Sequence, residues 1–341
     1  MDGGKQGLAW ELIYRPIAQA DSAQALKLRE VRKYLKENIF GMYTAKELSV
    51  MGLKKKLVPS IGESLTKENR IAVALNLGNQ TNKERIMTGH KWSEAQIADI
   101  VSELDARDWK FVEAVWKYFE TFRPESFRVQ EEITGVRPRA VEATPFQVTT
   151  ADGKTLTLSG GYYPIRYNSS KSFKQFARDQ KEMDQELFGG RNYGTAQTKH
   201  GHLKERQAGG NESPLLLELS VIPDHLYNTV HDISFRKAII DVARVIRSED
   251  VRSAIENFAG KEYYRQLMPW LQDCAQERQD PMSQLNALAR WARSAGSIMT
   301  MGFKATTILT QPVGITQTID VIGAKGPAHQ GFRRSLPKAR L

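Results

Sequence analysis

One cysteine, Cys274, stands in 341 residues. No internal disulfide can form from it, so a reducing compartment is expected. Also missing is any uninterrupted run of about 18 apolar residues, which argues against a membrane-spanning helix. The first residues, Met1-Asp2-Gly3-Gly4-Lys5, lack the apolar core of a secretory leader. No Walker, GxGxxG, GxSxG or HExxH pattern occurs, so the common nucleotide-binding and hydrolase signatures are absent. With 40% hydrophobic and 26% charged residues the chain reads as globular, soluble and intracellular.

The formal charge is +10, and its distribution matters more than its total. Residues 1–160 hold 24 Lys/Arg against 21 Asp/Glu, and 211–322 hold 11 against 13. The excess lies in 161–210, with 9 against 5, and in 323–341, with 5 against none. A basic middle points to a polyanionic partner, and a solvated surface gives the same numbers.

Residues 20–136 read as a helical domain after a lead at 1–19. Asp21-Ser22 is expected to start a helix bearing Leu26, Leu28, Val31 and Leu35 on one face. Thr44-Ala45-Lys46-Glu47, Thr81-Asn82-Lys83-Glu84 and Ser93-Glu94-Ala95-Gln96 read as capping boxes, in which hydroxyl and carboxylate or amide satisfy free amides reciprocally. Gly52 and Gly89 are expected to stop the first two helices, Gly52 by a left-handed backbone. Trp92 and Ile97 suit a hydrophobic staple. Phe111, Val112, Val115, Trp116 and Phe119 form a stripe that reads as helix core rather than a groove, ended near Arg123-Pro124. Lys54-Lys55-Lys56 follows a helix end and reads as solvated, with phosphate contact as the other reading.

Residues 137–167 carry the β signal. Phe146–Thr149 alternates, Asp152-Gly153 turns, and Thr155–Leu158 alternates back, which predicts a hairpin. Gly160-Gly161 lets the chain swing, and Tyr162–Tyr167 is expected to add a short third strand. Tyr162, Tyr163 and Tyr167 suit packing on a half-buried sheet, or stacking on bases. Residues 168–213 follow as a basic, glycine-rich loop and helix, with Lys171, Lys174 and Arg178 close together and Lys199, His200, His202, Lys204 and Arg206 forming a phosphate-facing cluster. His200-x-His202 is too few ligands for a metal, with only His225 and His231 as helpers, so neither metal nor cofactor is expected.

Residues 214–322 read as a helical bundle, and 323–341 as a disordered basic tail. Pro223-Asp224 starts a long helix whose Phe235, Ile239, Val242 and Ile246 form an internal core or a seam for a partner helix. Val251, Ile255 and Phe258 lie on the next helix, and Leu267 and Leu271 on another, interrupted by Pro269. Asp280-Pro281 starts a fourth, and the apolar 297–323 reads as a terminal helix docked on the bundle. Adjacent helix positions point about 100° apart, so His231-Asp232 reads as structural rather than as an acid–base pair. Cys274 reads as a buried thiol. The expected architecture is mainly α, with a helical N-terminal domain and C-terminal helical bundle joined by a small antiparallel β-hairpin and a long Gly-rich loop.

An ordered set of segments adds a family likeness. Ala72–Asn79 is followed by Asn82–Arg85, by Trp109–Trp116, by Thr134-Gly135-Val136-x-Pro138 and by Val141–Phe146. Gly160–Pro164, His200–Arg206, Pro214-Leu215 and Val230-His231-Asp232 complete it. This order, across about residues 65–320, resembles a segment of the large polyvalent, virion-associated proteins of phages and prophages. The resemblance implies a piece of a longer protein that enters the host with the genome, with ejection, genome protection or action on host machinery as its roles. Virion and host cytoplasm are the implied locations. It supplies no catalytic residues. Three functions therefore stand: a virion or co-ejected segment that contacts nucleic acid or other virion proteins through 160–206; an enzyme or toxin-like effector with a pocket of Tyr162, Tyr163, Tyr167, His200, His202 and His231; and a self-associating helical module.

Overall fold

The structure, a computed structural model, describes residues 7–168 and 213–276. Its helices begin earlier than the expected lead allows. A π-helical turn, Trp10–Tyr14, runs directly into α1, Arg15–Tyr34, so Asp21 and Ser22 lie inside a helix instead of starting one. Pro16 therefore lies inside a continuous helix, and the π-helical turn falls just before it, where the missing amide hydrogen interrupts the regular ladder. Ser22 turns its hydroxyl back onto the Ala18 carbonyl at 2.9 Å, the usual way a helix interior absorbs a serine. Ile13, Ile17 and Ala20 recur at helical spacing and are buried, which holds this first segment in place.

Short helices follow: α2 (Ala45–Met51), α3 (Lys67–Asn76), α4 (Gln80–His90), α5 (Glu94–Val101), α6 (Ala106–Glu120) and α7 (Arg123–Thr134). The Thr44 and Ser93 boxes form as expected, with Trp92 and Ile97 both buried beside the second. Two more boxes, Thr66 with Asn69 and Asp105 with Asp108, use amide or aspartate partners that the Ser/Thr-x-x-Glu/Gln pattern does not cover. The box expected at Thr81 is displaced: Asn79 caps α4 by accepting from the Asn82 amide at 2.9 Å. Gly52 keeps a right-handed backbone at φ −89°. Helix α4 runs past Gly89 to His90 and closes on Lys91 at φ 58°. Pro124 opens α7 in its first turn.

Two antiparallel hairpins complete the secondary structure. β3 (Phe146–Thr149) pairs with β4 (Thr155–Leu158) across Asp152-Gly153, as the alternation predicts, with Gly153 at φ 76°. β1 (Lys55–Val58) pairs with β2 (Glu63–Thr66), so the lysine run follows the end of α2 as expected, and its Lys55 and Lys56 lie in a strand. Its charged residues give no apolar alternation, which is why sequence pattern misses it. Tyr162–Tyr167 adds no third strand to β3–β4; Tyr167 instead bridges Leu215.

After residue 213 come α8 (Val221–Arg247), α9 (Glu249–Phe258) and α10 (Lys261–Gln276), the last continuing through Pro269 without interruption. The expected helix at 280, the apolar stretch 297–323 and the tail lie outside the described residues. Among the described residues no helix is long and apolar enough to cross a membrane.

Two hydrophobic clusters hold these elements. The first surrounds α6, whose Trp109, Phe111, Val112, Val115, Trp116 and Phe119 are all at most 1% exposed. That burial settles the aromatic stripe as core, each large side chain contributing about 1.5–3 kcal/mol. The cluster also takes in Val31 and Leu35, the α3 residues Ile71–Leu75, Tyr162, Tyr163 and Ile165, and Leu215–Val230. The second cluster joins Ile13, Ile17 and Ala20 to Phe235, Ile239, Val242 and Ile246 of α8 and to Leu267, Leu271 and Cys274 of α10. The Phe235–Ile246 stripe is therefore an internal core, and Cys274 is a buried thiol within it.

Candidate functional site: the base of the basic excursion

The glycines of the middle stretch explain its path. Gly78 follows Leu77, the C-cap of α3, and its carbonyl accepts the amides of Thr144 at 3.0 Å and Gly161 at 2.7 Å. A Cβ on Gly161 would lie 2.5 Å from the Trp116 Cβ, and one on Gly78 would lie 2.5 Å from the Gly161 oxygen. Only glycine at both positions lets the two backbones touch over an indole. The segment 160–167 thus dives between helices as a strap rather than lying along the hairpin.

Buried amides stitch that strap down. Asn79 donates through Nδ2 to the Gly161 carbonyl at 3.1 Å, and Asn82 through Nδ2 to the Tyr163 carbonyl at 2.9 Å. Asn82 also reaches Asn76 Oδ1 at 3.1 Å, and Trp116 Nε1 donates to Leu75 O at 2.9 Å. Polar groups this deep must be paired, and these are.

The tyrosines divide by depth. Tyr162 and Tyr163 are 5% and 1% exposed, packed edge-on or tilted against Phe119. Tyr162 Oη lies 3.1 Å from His225 Nε2, which occupies that histidine within the core. Burial drives the Tyr163 phenol far above its ordinary value, with Glu68 adding to the rise, so it stays neutral. Neither ring is free to stack on a base. Tyr167 is half-buried, and its hydroxyl takes a hydrogen bond from Arg85 Nη1.

At the end of the strap the chain leaves and returns at one place. Asn168 N donates to Pro214 O, and Leu216 N to Arg166 O, both at 2.8 Å, around the antiparallel Tyr167–Leu215 bridge. His90 Nε2 lies against the Leu215 backbone at 3.1–3.2 Å, its ring stacked 4.3 Å from Trp92. Gly89 is needed here, since a Cβ would sit 2.5 Å from Ser213 O. Asn69 Nδ2 donates to Leu217 O at 2.8 Å, and Glu68 accepts from Leu219 N at 3.0 Å. Arg166 pairs with Asp224 in the first turn of α8. Burial raises the Asp224 carboxyl above its ordinary value even though Arg166 pulls the other way.

Lys171, Lys174, Arg178, Lys199, His200, His202, Lys204 and Arg206 all lie outside the described residues. His231 is distant in its contacts from the tyrosines: it is 5% exposed, with Nδ1 at 3.2 Å from Gln24 Oε1 and Nε2 at 3.0 Å from Ala275 O. Its neighbour Asp232 turns to Arg236 one helical turn on, at 3.9 Å. The pair is structural, as the helical geometry predicts. Among the described residues no three His, Cys, Asp or Glu side chains group as metal ligands do. Arg85, His90, Arg166 and Asp224 at the base were missed by the sequence reading. Each is ordinary alone, and only the Gly-Gly-Tyr-Tyr-Pro motif hinted that something nearby was anchored. No family model, curated protein or solved structure matches this chain.

Proposed function

We propose that this chain is a non-enzymatic, mainly helical segment of a phage or prophage virion-associated protein, co-ejected with the genome, that contacts nucleic acid through its basic middle. One observation carries the reading: the flanks of residues 169–212 are pinned side by side by two 2.8 Å backbone hydrogen bonds. The two ends of a basic, glycine-rich sequence are thereby fixed side by side on a packed helical body, and its Lys and Arg content suits a polyanion. Tyr162, Tyr163 and Ile165 are committed to the core, so contact falls to the residues beyond them. The pocket reading has less support, because Tyr162, Tyr163 and His231 are each engaged within the fold. The self-association reading loses its seam, because Phe235–Ile246 packs internally.

The test is DNA and RNA binding across a salt series, with Lys199→Gln/Lys204→Gln/Arg206→Gln beside the parent. The expected result is weaker binding and a log–log salt slope shallower by about three in the variant. Unchanged affinity and slope overturn the proposal.

A further inference from the structure

The β1–β2 ribbon presents a surface that the proposed function does not use. Opposite residues of an antiparallel pair share a face, so Lys56, Leu65, Val58 and Glu63 lie on one side and Lys55, Leu57, Ser64 and Thr66 on the other. The first side is the inner one: Val58 and Leu65 are buried, and Lys56 Nζ holds Glu103 at 2.6 Å. On the outer side Thr66 is buried where it caps α3, while Leu57 is 58% exposed; Leu53, in the turn that precedes the strand, is 68% exposed. Lys54 and Lys55 are exposed too, and neither pairs with a carboxylate among the described residues. Of the nearby acids, Asp99 takes Ser60, Glu68 takes the Leu219 amide, Asp105 and Asp108 take Lys67, and Glu63 is exposed on the side of the ribbon opposite to Lys55 and Leu57. The ribbon is also fixed to the body. Arg70 Nη2 donates to Lys56 O at 3.2 Å, and Gln96 Nε2 to Ser60 O at 2.7 Å.

We propose that the exposed segment Leu53–Leu57 docks on an anionic lipid surface, with Leu53 and Leu57 entering the headgroup boundary and Lys54 and Lys55 held by the lipid charge. Charge complementarity selects the partner: two uncompensated cations flanked by two exposed leucines match a surface that is anionic outside and apolar just beneath. A nucleic-acid backbone would take the lysines and leave both leucines in water. The attachment is peripheral and draws on no membrane-spanning element.

The experiment is flotation of the full chain with phosphatidylcholine vesicles, with and without phosphatidylserine, against Lys54→Gln/Lys55→Gln and Leu53→Ser/Leu57→Ser. The parent is expected to float with the phosphatidylserine vesicles and to be released by high salt. Each double variant should lose about tenfold in partitioning. All four positions are exposed, so melting temperatures should match the parent and exclude misfolding as the cause. No flotation, equal flotation on both vesicles, or an unaffected leucine variant overturns the proposal. If the lysine variant loses nucleic-acid binding while vesicle binding is unchanged, the ribbon is assigned to phosphate and the lipid reading falls.

Discussion

The strap Gly160–Tyr167 and the segment Leu53–Leu57 are both short, and both set bulky apolar side chains beside cations, yet the fold treats them oppositely. In the strap, Tyr162 and Tyr163 vanish into the aromatic core around Phe119, and three asparagines of the α3–α4 junction fix the backbone. In the ribbon, the leucines stay in water and two of the lysines stay unpaired. The tyrosines, for which packing and base stacking were both open, are packed into the core, and the lysine run that read as solvated is exposed. Tyrosine beside glycine reads as function when the glycines are taken for flexibility. Here they are required for contact: Gly78 and Gly161 let backbone approach backbone across Trp116.

That contrast can be broken most directly at Tyr163. Tyr163→Ala removes a ring that is 1% exposed and should cost about 3–5 kcal/mol in denaturant unfolding. A loss below about 1 kcal/mol would mean that the strap is not core. Asn82→Ala comes next. It leaves the Tyr163 carbonyl without its buried donor, so about 1–3 kcal/mol should be lost, with faster amide exchange in the strap. If exchange there stays as slow as in the parent, the stitching is not what holds it.

The third prediction sharpens the far end of the strap through pH. Asp224 has its carboxyl raised by burial, against the pull of Arg166. A group that binds its proton more tightly folded than unfolded favours the fold below its unfolded value. That contribution is lost as pH rises through the raised folded value. Parent stability relative to Asp224→Asn should therefore fall from acid to neutral pH, as followed by denaturant midpoints. Parallel curves for the two proteins would show that the carboxyl titrates as it does in the unfolded chain.

Much of the local structure was legible in the order of residues. The boxes at Thr44 and Ser93, the α6 stripe and the Asp152-Gly153 hairpin each follow from contacts within a few positions. The misses share a cause. Thr81 offers a good box by pattern, but Asn79 caps α4, and the same side chain ties the helix start to the strap through the Gly161 carbonyl. Pro269 breaks hydrogen bonding on paper, yet α10 continues, with Leu267 and Leu271 buried on either side of it. Asp21-Ser22 resembles a start, yet Ile13 and Ile17 extend the helix upstream by packing on the second cluster.

The sequence by itself determined a mainly helical chain, the caps at Thr44 and Ser93, the Asp-Gly turn, the aromatic core helix, and a basic middle, because these depend on near neighbours and on composition. Only the tertiary structure decided that the tyrosine strap is buried, that residues 168 and 213 meet at one anchored base, that the Phe235–Ile246 stripe faces inward, and that Leu53 and Leu57 face out. Each of those rests on contacts between residues far apart in the chain, such as Asn82 with Tyr163 or His90 with Leu215. Burial and partner choice at such distances are set by which surfaces the packed helices leave uncovered, and no local pattern encodes that.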